Sequence, residues 1–479
     1  MYLGLDLGTS GLKGLVIDDG GVVVAEASAP LSVARPHPGW SEQDPAHWIT
    51  AAEGVLRALA SQIDMAAIAG IGLSGQMHGA TVLDVSDRVL RPCILWNDTR
   101  AHAQAAALDA DPQFRAISGN IVFPGFTAPK LVWMARHEPD LFARAAKVLL
   151  PKDYLRLWLT GGHVAEKSDA AGTSWLDIGA RDWSDDLLAA SGMTRDQMPT
   201  LVEGAGVSGH VRADLAQEFG LTAGIPVAGG AGDNAATAIG LGVARGGQGF
   251  VSLGTSGVLF AATDGYAPAP ETAVHSFCHA LPGTWHQMGV ILAATDALNW
   301  FARIAGDTPA ALTADLGPLQ APGRALFLPY LGGERTPLNS ASIRGAFVGL
   351  EHATDREAAT RAVLEGVVFA LKDCQDALAA TGTRLETLIA AGGGARSDYW
   401  LSALATAMDL PILVPEAGDY GAALGAARLG LMAATGAGAE AMPLPPIARE
   451  IAPQPGLTQA FTDTHARFKA AQTAIKDLT

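Results

Sequence analysis

Leu3, Leu5 and Leu7 alternate with Gly4 and Asp6, and a mostly apolar run, Leu12–Ile17, follows beyond a Gly-Thr-Ser-Gly turn. Alternation with period two puts the leucines on one strand face and Asp6 on the other. Two such strands, Tyr2–Asp6 and Leu12–Ile17, around a small-residue turn predict a β-hairpin. The pattern returns half a chain later. Gly249–Ser252 and Val258–Ala262 flank Leu253-Gly254-Thr255-Ser256-Gly257, a copy of Leu7-Gly8-Thr9-Ser10-Gly11. A repeat that opens each half predicts duplication. The boundary is expected near Arg245-Gly246-Gly247, giving domains 1–245 and 246–479.

Apolar residues at helical spacing predict helices over His47–Ile63, Ala235–Ala244, Arg356–Ala380 and Tyr399–Met408. Short apolar runs predict strands at Ile68–Leu73, Ala80–Leu83, Pro226–Ala228 and Leu388–Ala391. Phe461, Phe468, Ile475 and Leu478 mark one face of a tail helix, while the Ala-, Gly- and Pro-rich stretch Ala433–Pro455 reads as a connector. Strands interleaved with helices indicate an α/β protein.

Composition supports this reading. The 479 residues are 49% apolar and 17% charged, enough to bury two cores and too little charge for disorder. The 56 glycines gather beside the short apolar runs, as in loops that approach a ligand with bare backbone. Net charge is −16 with no Lys/Arg cluster, so neither nucleic acid nor an anionic membrane surface is an expected partner. Phosphates can still be held by backbone N–H groups and a metal. Cys93, Cys278 and Cys374 are widely spaced and form no metal-binding pattern, which suits a reducing compartment. With a strand at Tyr2 and no apolar run of about 18 residues, a cytoplasmic protein is expected.

Four constellations carry chemistry. In the first, Asp6 precedes the turn Gly8-Thr9-Ser10-Gly11, with Lys13 just beyond. A carboxylate before a turn rich in N–H and hydroxyl donors suits magnesium and phosphate, although a solvated strand end explains Asp6 equally simply. It is not a Walker A loop, because no GxxxxGK[ST] occurs. Ser252 replaces Asp6 in the second copy, which could hold phosphate at Gly254 and Thr255 but lacks the metal carboxylate. The second is Gln76-Met77-His78-Gly79, where Gln76 and His78 could hydrogen-bond sugar hydroxyls and Met77 alone would be core filler. The third is Gly229-Gly230-Ala231-Gly232-Asp233-Asn234, before a helix. Asp233 is either an N-cap or a general base for phosphoryl transfer, and both hold if Asn234 caps the helix. The fourth, Gly392-Gly393-Gly394-Ala395-Arg396-Ser397, suits close packing against a nucleotide at a helix N-terminus.

Together these motifs resemble the FGGY carbohydrate kinases, most of all their xylulokinase branch. The likeness spans the chain and adds Trp40–Pro45, Leu95-Trp96-Asn97-Asp98, Gly125–Trp133 and Gly333-Glu334-Arg335-Thr336-Pro337. The stretch from Gly345 to Glu365 fits the family less well, since Ala358-Ala359 stand where a polar and then an apolar residue are usual. The resemblance implies two actin-like, ribonuclease-H-like domains facing a central cleft. It implies an ATP-dependent sugar kinase, with D-xylulose as the expected acceptor. Asp233 would be the base and Asp6 the magnesium residue. Gln76, Met77, His78, Asp233 and Asn234 would meet the sugar. Thr9, Ser10, Lys13, Gly254, Thr255, Gly393, Gly394, Ala395 and Ser397 would lie along ATP. A homodimer is also implied. The competing readings are a kinase for ribulose, gluconate or glycerol, a sugar-independent actin-like ATPase, and a catalytically silent sugar sensor, which intact Asp6 and Asp233 oppose.

Overall fold

The computed structural model describes residues 1–314, 316–416, 421–476 and 478. The first hairpin forms as the alternation predicts, from β1 (Tyr2–Leu7) and β2 (Gly11–Ile17). With β3 (Val23–Pro30), β4 (Gly70–Gly75), β5 (Val207–His210) and β6 (Pro226–Ala228) it builds a sheet in the order β5-β6-β4-β1-β2-β3. The second hairpin, β7 (Gln248–Leu253) and β8 (Gly257–Thr263), starts another sheet. It is completed by β9 (His275–Cys278), β10 (Trp285–Ile291), β11 (Thr387–Ala391), β12 (Ile412–Pro415) and β13 (Ile447–Ile451), in the order β9-β10-β8-β7-β11-β12-β13.

The duplication is visible in these pairings. In both sheets the hairpin is antiparallel, its second strand has an antiparallel outer neighbour, and its first strand is flanked by two successive parallel strands. Each sheet then gains one antiparallel edge on that side. The edge strand β13 corrects the sequence reading, which took its surroundings for a connector. Its residues are at most half-buried, so burial left little pattern to read.

Helices cover the sheets: α1 (Pro45–Ala60), α2 (Thr127–His137), α3 (Pro151–Thr160), α4 (Asp233–Leu241), α5 (Arg356–Ala380), α6 (Asp398–Met408), α7 (Gly421–Thr435) and α8 (Pro455–Lys476). α1 begins two residues before its predicted start because Asp44 caps it and Pro45 suits the first turn. α4 ends at Leu241 because Gly242 turns left-handed (φ +73°). In α8, Phe461 and Phe468 are buried, but Leu478 is exposed and does not join their face. No described helix is long and apolar enough to cross a membrane.

The two faces of β1 explain its composition. Leu3, Leu5 and Leu7 pack with Trp48, Val55 and Leu59 of α1. Gly4 faces α7, where a Cβ would stand 2.1 Å from the carbonyl oxygen of Ala423. The same helix lies on Gly72 of β4 and, through Gly425, on Ala236 of α4, each with a would-be Cβ 1.8 Å from a carbonyl oxygen. Thus a helix from late in the chain is fastened, backbone to backbone, onto the first sheet. The halves also share a core on the other side, where Phe114, Val122, Phe126 and Trp175 pack with Phe250, Phe260, Phe277 and Met288.

Candidate active site

Strand register brings the acidic residues together. β4 lies parallel to β1, with Ser74 opposite Asp6. On its other side the short segment Ala231–Gly232 runs parallel to it, with Ala231 opposite Ser74. Asp233 follows at once, so the two carboxylates stand two strands apart at the same end of the sheet.

Asp233 is the first residue of α4, and Gly232, which offers no side chain, occupies the cap position. Asn234 therefore does not cap the helix, contrary to the sequence expectation. Instead its backbone N–H (2.7 Å) and Nδ2 (3.0 Å) both donate to Asp233 Oδ1. That fixes one carboxylate oxygen and leaves Oδ2 without a hydrogen bond from the described residues. Burial, reinforced by the Asp6 charge, raises the Asp233 pKa from 3.8 to about 6, against the two Asn234 bonds.

The loop carrying Asp233 is held by a buried ion cluster that sequence reading missed. Lys152 Nζ lies 2.8 Å from Asp153, 2.9 Å from Asp169 and 3.4 Å from Glu166. Arg156 binds Asp153 at 2.7 Å and donates to the carbonyl of Gly229. Ser168 Oγ donates to Glu166 (3.0 Å) and accepts from the N–H of Gly232 (3.1 Å). Both ends of the glycine loop are thereby tied down. Two cations face three carboxylates here, and burial raises the Asp169 pKa, which favours a proton on it and lessens the excess negative charge.

The Gln76–Gly79 loop divides into a brace and a wall. Gln76 is buried, accepts from Thr9 Oγ1 (3.0 Å) and donates to Gln43 (2.9 Å). Gln43 in turn donates to the Thr9 carbonyl (2.7 Å) and accepts from Trp48 (3.0 Å). Gln76 thus braces the first turn. Met77 packs against the Asp233 loop, its sulfur 2.9 Å from where a Gly232 Cβ would stand. His78 adopts φ +67° and stacks on Phe126, ring centroids 4.6 Å apart. Its Nδ1 donates to Gly172 O at 2.7 Å. Its own carbonyl accepts from buried Lys130 (2.8 Å) and from Thr127 (3.1 Å). Burial lowers the His78 pKa to about 3, so the ring is neutral and Nε2 is an acceptor.

The nucleotide candidates fall into two groups. Thr9 accepts a hydrogen bond from Trp96 Nε1 (3.0 Å), Ser10 is exposed, and Lys13 pairs with Glu26 at 3.2 Å. In the second half, Thr295 holds the Gly254 carbonyl through its N–H and hydroxyl, and Ala294 N–H holds that of Thr255. Gly392 (φ +82°) and Gly394 rest on Leu253, where a Cβ would meet backbone or side chain at 2.8 and 2.7 Å. Gly393 has open space around it. Gly393 and Ala395 line a pocket of about 560 Å³ with Gly392, Arg396, Glu416 and Arg449. Ser397 is the N-cap of α6, its Oγ accepting from Trp400 N–H. Asp6 beside Asp233 forms an all-oxygen acidic pair at the edge of the Gly8–Gly11 turn, a donor set that fits magnesium.

The chain is similar to known proteins along most of its length. Residues 1–240 match the N-terminal domain of the FGGY family of carbohydrate kinases, and residues 249–434 its C-terminal domain. The xylulose kinase of Escherichia coli (strain K12) is 48% identical over 437 residues, covering 91% of this chain and 90% of that protein. The crystal structure of a xyloylose kinase from Brucella ovis is similar at 61% identity and TM-score 0.98, covering 100% of both chains. That of xylulose kinase from Rhodospirillum rubrum has 29% identity and TM-score 0.93, covering 100% of this chain and 99% of the other.

Proposed function

The chain belongs to the FGGY family of carbohydrate kinases, and from that membership we propose that it converts D-xylulose to D-xylulose 5-phosphate with ATP, Asp233 acting as general base. The observation that carries the chemical part is the buried carboxylate at the start of α4, with one oxygen fixed by Asn234 and its pKa raised to about 6. Such a group is ionised at neutral pH yet more basic than an ordinary aspartate, which suits removal of a hydroxyl proton as phosphorus is attacked. Neutral His78 offers Nε2 to a sugar hydroxyl, and Met77 gives an apolar wall between His78 and Asp233.

ATP supplies the phosphoryl group, and magnesium, held by Asp6, would offset its charge. The Thr9 turn, braced by Gln76, and the Thr255 turn, under the Gly392–Gly394 loop, bind the nucleotide from either side. Cytoplasmic location, resting on cysteine usage and the lack of a long apolar run, and a homodimer, resting on the family resemblance, complete the reading. A coupled ADP assay across xylulose, ribulose, gluconate and glycerol tests it. Turnover is expected to depend on sugar and to be fastest with D-xylulose. Equal ADP production with and without every sugar would show an actin-like ATPase instead.

A further inference from the structure

The two halves of the chain meet beside His78. Phe123 and Phe126 come from the first half, His275 and Phe277 from the second, with ring centroids 5.3 Å apart for Phe123–His275 and 6.1 Å for Phe126–Phe277. Asn120 fastens this seam, donating to Ser276 O and accepting from Ser276 N–H, each at 3.0 Å. Arg335 reaches the same cluster, its guanidinium carbon 4.8 Å from the centre of the Phe123 ring.

The polar groups here are unspent. No described residue forms an ion pair or hydrogen bond with the Arg335 guanidinium. The adjacent Glu334 accepts from the N–H groups of Leu292 (3.0 Å) and Arg335 (2.7 Å). Burial raises its pKa to about 8, against these two bonds and the Arg335 charge, which weakens it as a counter-ion to the arginine. His275 is buried with Nδ1 lacking a partner, and burial, with Arg335 and His78 nearby, keeps it neutral. A partly exposed guanidinium without a protein anion, beside an unpartnered imidazole nitrogen, leaves polar groups that a ligand can satisfy.

A chain of contacts links this cluster to the Asp233 loop. Met77 packs on the Asp233 loop, His78 follows it and stacks on Phe126, and Phe126 touches His275. We infer that Arg335 and His275, both from the second half, complete the sugar site by hydrogen-bonding adjacent oxygens at the ketose end remote from the hydroxyl that Asp233 deprotonates. The planar fork of arginine matches two neighbouring oxygens, here the ketose carbonyl and the hydroxyl beside it. This inference rests on the kinase reading above.

The test pairs a residue change with a substrate change. Arg335→Met removes the fork and charge but no protein hydrogen bond. It should raise the xylulose KM, and the xylulose Kd by calorimetry, about 10- to 100-fold, as expected for a lost charged hydrogen bond. The KM for ATP and the thermal midpoint should hold. In the wild type 1-deoxy-D-xylulose should bind more weakly than xylulose, and in the variant the two should bind alike. Arg335→Lys, which keeps the charge without the fork, should show a smaller defect of the same kind and serves if the methionine variant does not fold. An active wild type whose variants change only thermal stability or the ATP KM would make Arg335 a strut or phosphate contact and overturn the inference. A wild type without sugar-dependent turnover would overturn the kinase reading and this one with it.

Discussion

Asp233→Asn separates the catalytic from the structural consequences of one carboxylate. In the wild type the folded-state pKa, about 6, exceeds the ordinary 3.8, so the folded protein binds the proton more tightly than the unfolded chain. This group's contribution to stability is therefore fully present below about pH 4 and lost as pH rises through 6. Each pKa unit is about 1.4 kcal/mol, so the ionised carboxylate costs the fold on the order of 3 kcal/mol at pH 8. Asparagine keeps the shape and the oxygen that Asn234 bonds but cannot ionise. The variant should match the wild type near pH 4 and exceed its stability by up to about 3 kcal/mol at pH 8. Urea unfolding across that range would measure the difference. At the same time kcat should fall by at least about 10²-fold, the low end for a general base, with ATP affinity nearly unchanged. Near-normal sugar-dependent turnover would remove Asp233 from proton transfer. A stability difference that does not grow with pH would mean that the carboxylate is not held against ionisation.

Three further outcomes follow from named contacts. Asp6→Asn should abolish most activity, partly restored by added magnesium. Because the Asp6 charge helps raise the Asp233 pKa, the variant's residual kcat should also lose its acid limb at a lower pH than the wild type, read from a pH–rate profile. Gln76→Leu strips Thr9 and Gln43 of a partner and should raise the ATP KM roughly tenfold, leaving the sugar KM alone, since unsatisfied buried groups cost about 1–3 kcal/mol. Gly425→Ala should destabilise by about 3 kcal/mol or more in chemical denaturation, since its Cβ would stand 1.8 Å from a carbonyl oxygen of a neighbouring helix.

What the sequence revealed was what is encoded locally. Both hairpins carry their alternation and turn within a dozen or so residues, and the span of α5 was read without error because one long periodic stretch lies between an Asp cap and a Thr-Gly stop. The candidate carboxylates were legible because each stands at the end of a strand beside a glycine-rich turn. What stayed hidden depends on partners distant in the chain. Gln76 looks like a free polar loop residue until Gln43 and Thr9 fold onto it. Lys152, Asp153 and Arg156 gave no local signal, because their burial depends on partners such as Glu166 and Asp169. Trp96 and Arg335 lay inside recognised motifs, yet nothing local said that one would bond Thr9 and the other lean on Phe123.

The placement of α7 explains why the two hairpins are not equivalent. It belongs to the second half by sequence, yet its backbone rests on Gly4 of β1, Gly72 of β4 and Ala236 of α4. Those three elements carry or lead into Asp6, the Met77–His78 wall and Asp233. Contacts made by backbone and small side chains have no rotamers to change, so they hold these elements at fixed spacing. The groups proposed for the sugar and its proton therefore form one rigid frame, extended by the Asn120–Ser276 clasp to His275. The second turn, with Thr255 and the glycine loop around Gly393, is fixed chiefly to its own sheet. It can present phosphate donors from the far side of the cleft, and it needs no carboxylate if Asp6 stands in the frame with the proposed base. Ser252 in the place of Asp6 fits this proposed division of labour: a second carboxylate on the nucleotide side would repel the phosphates proposed to lie along both turns.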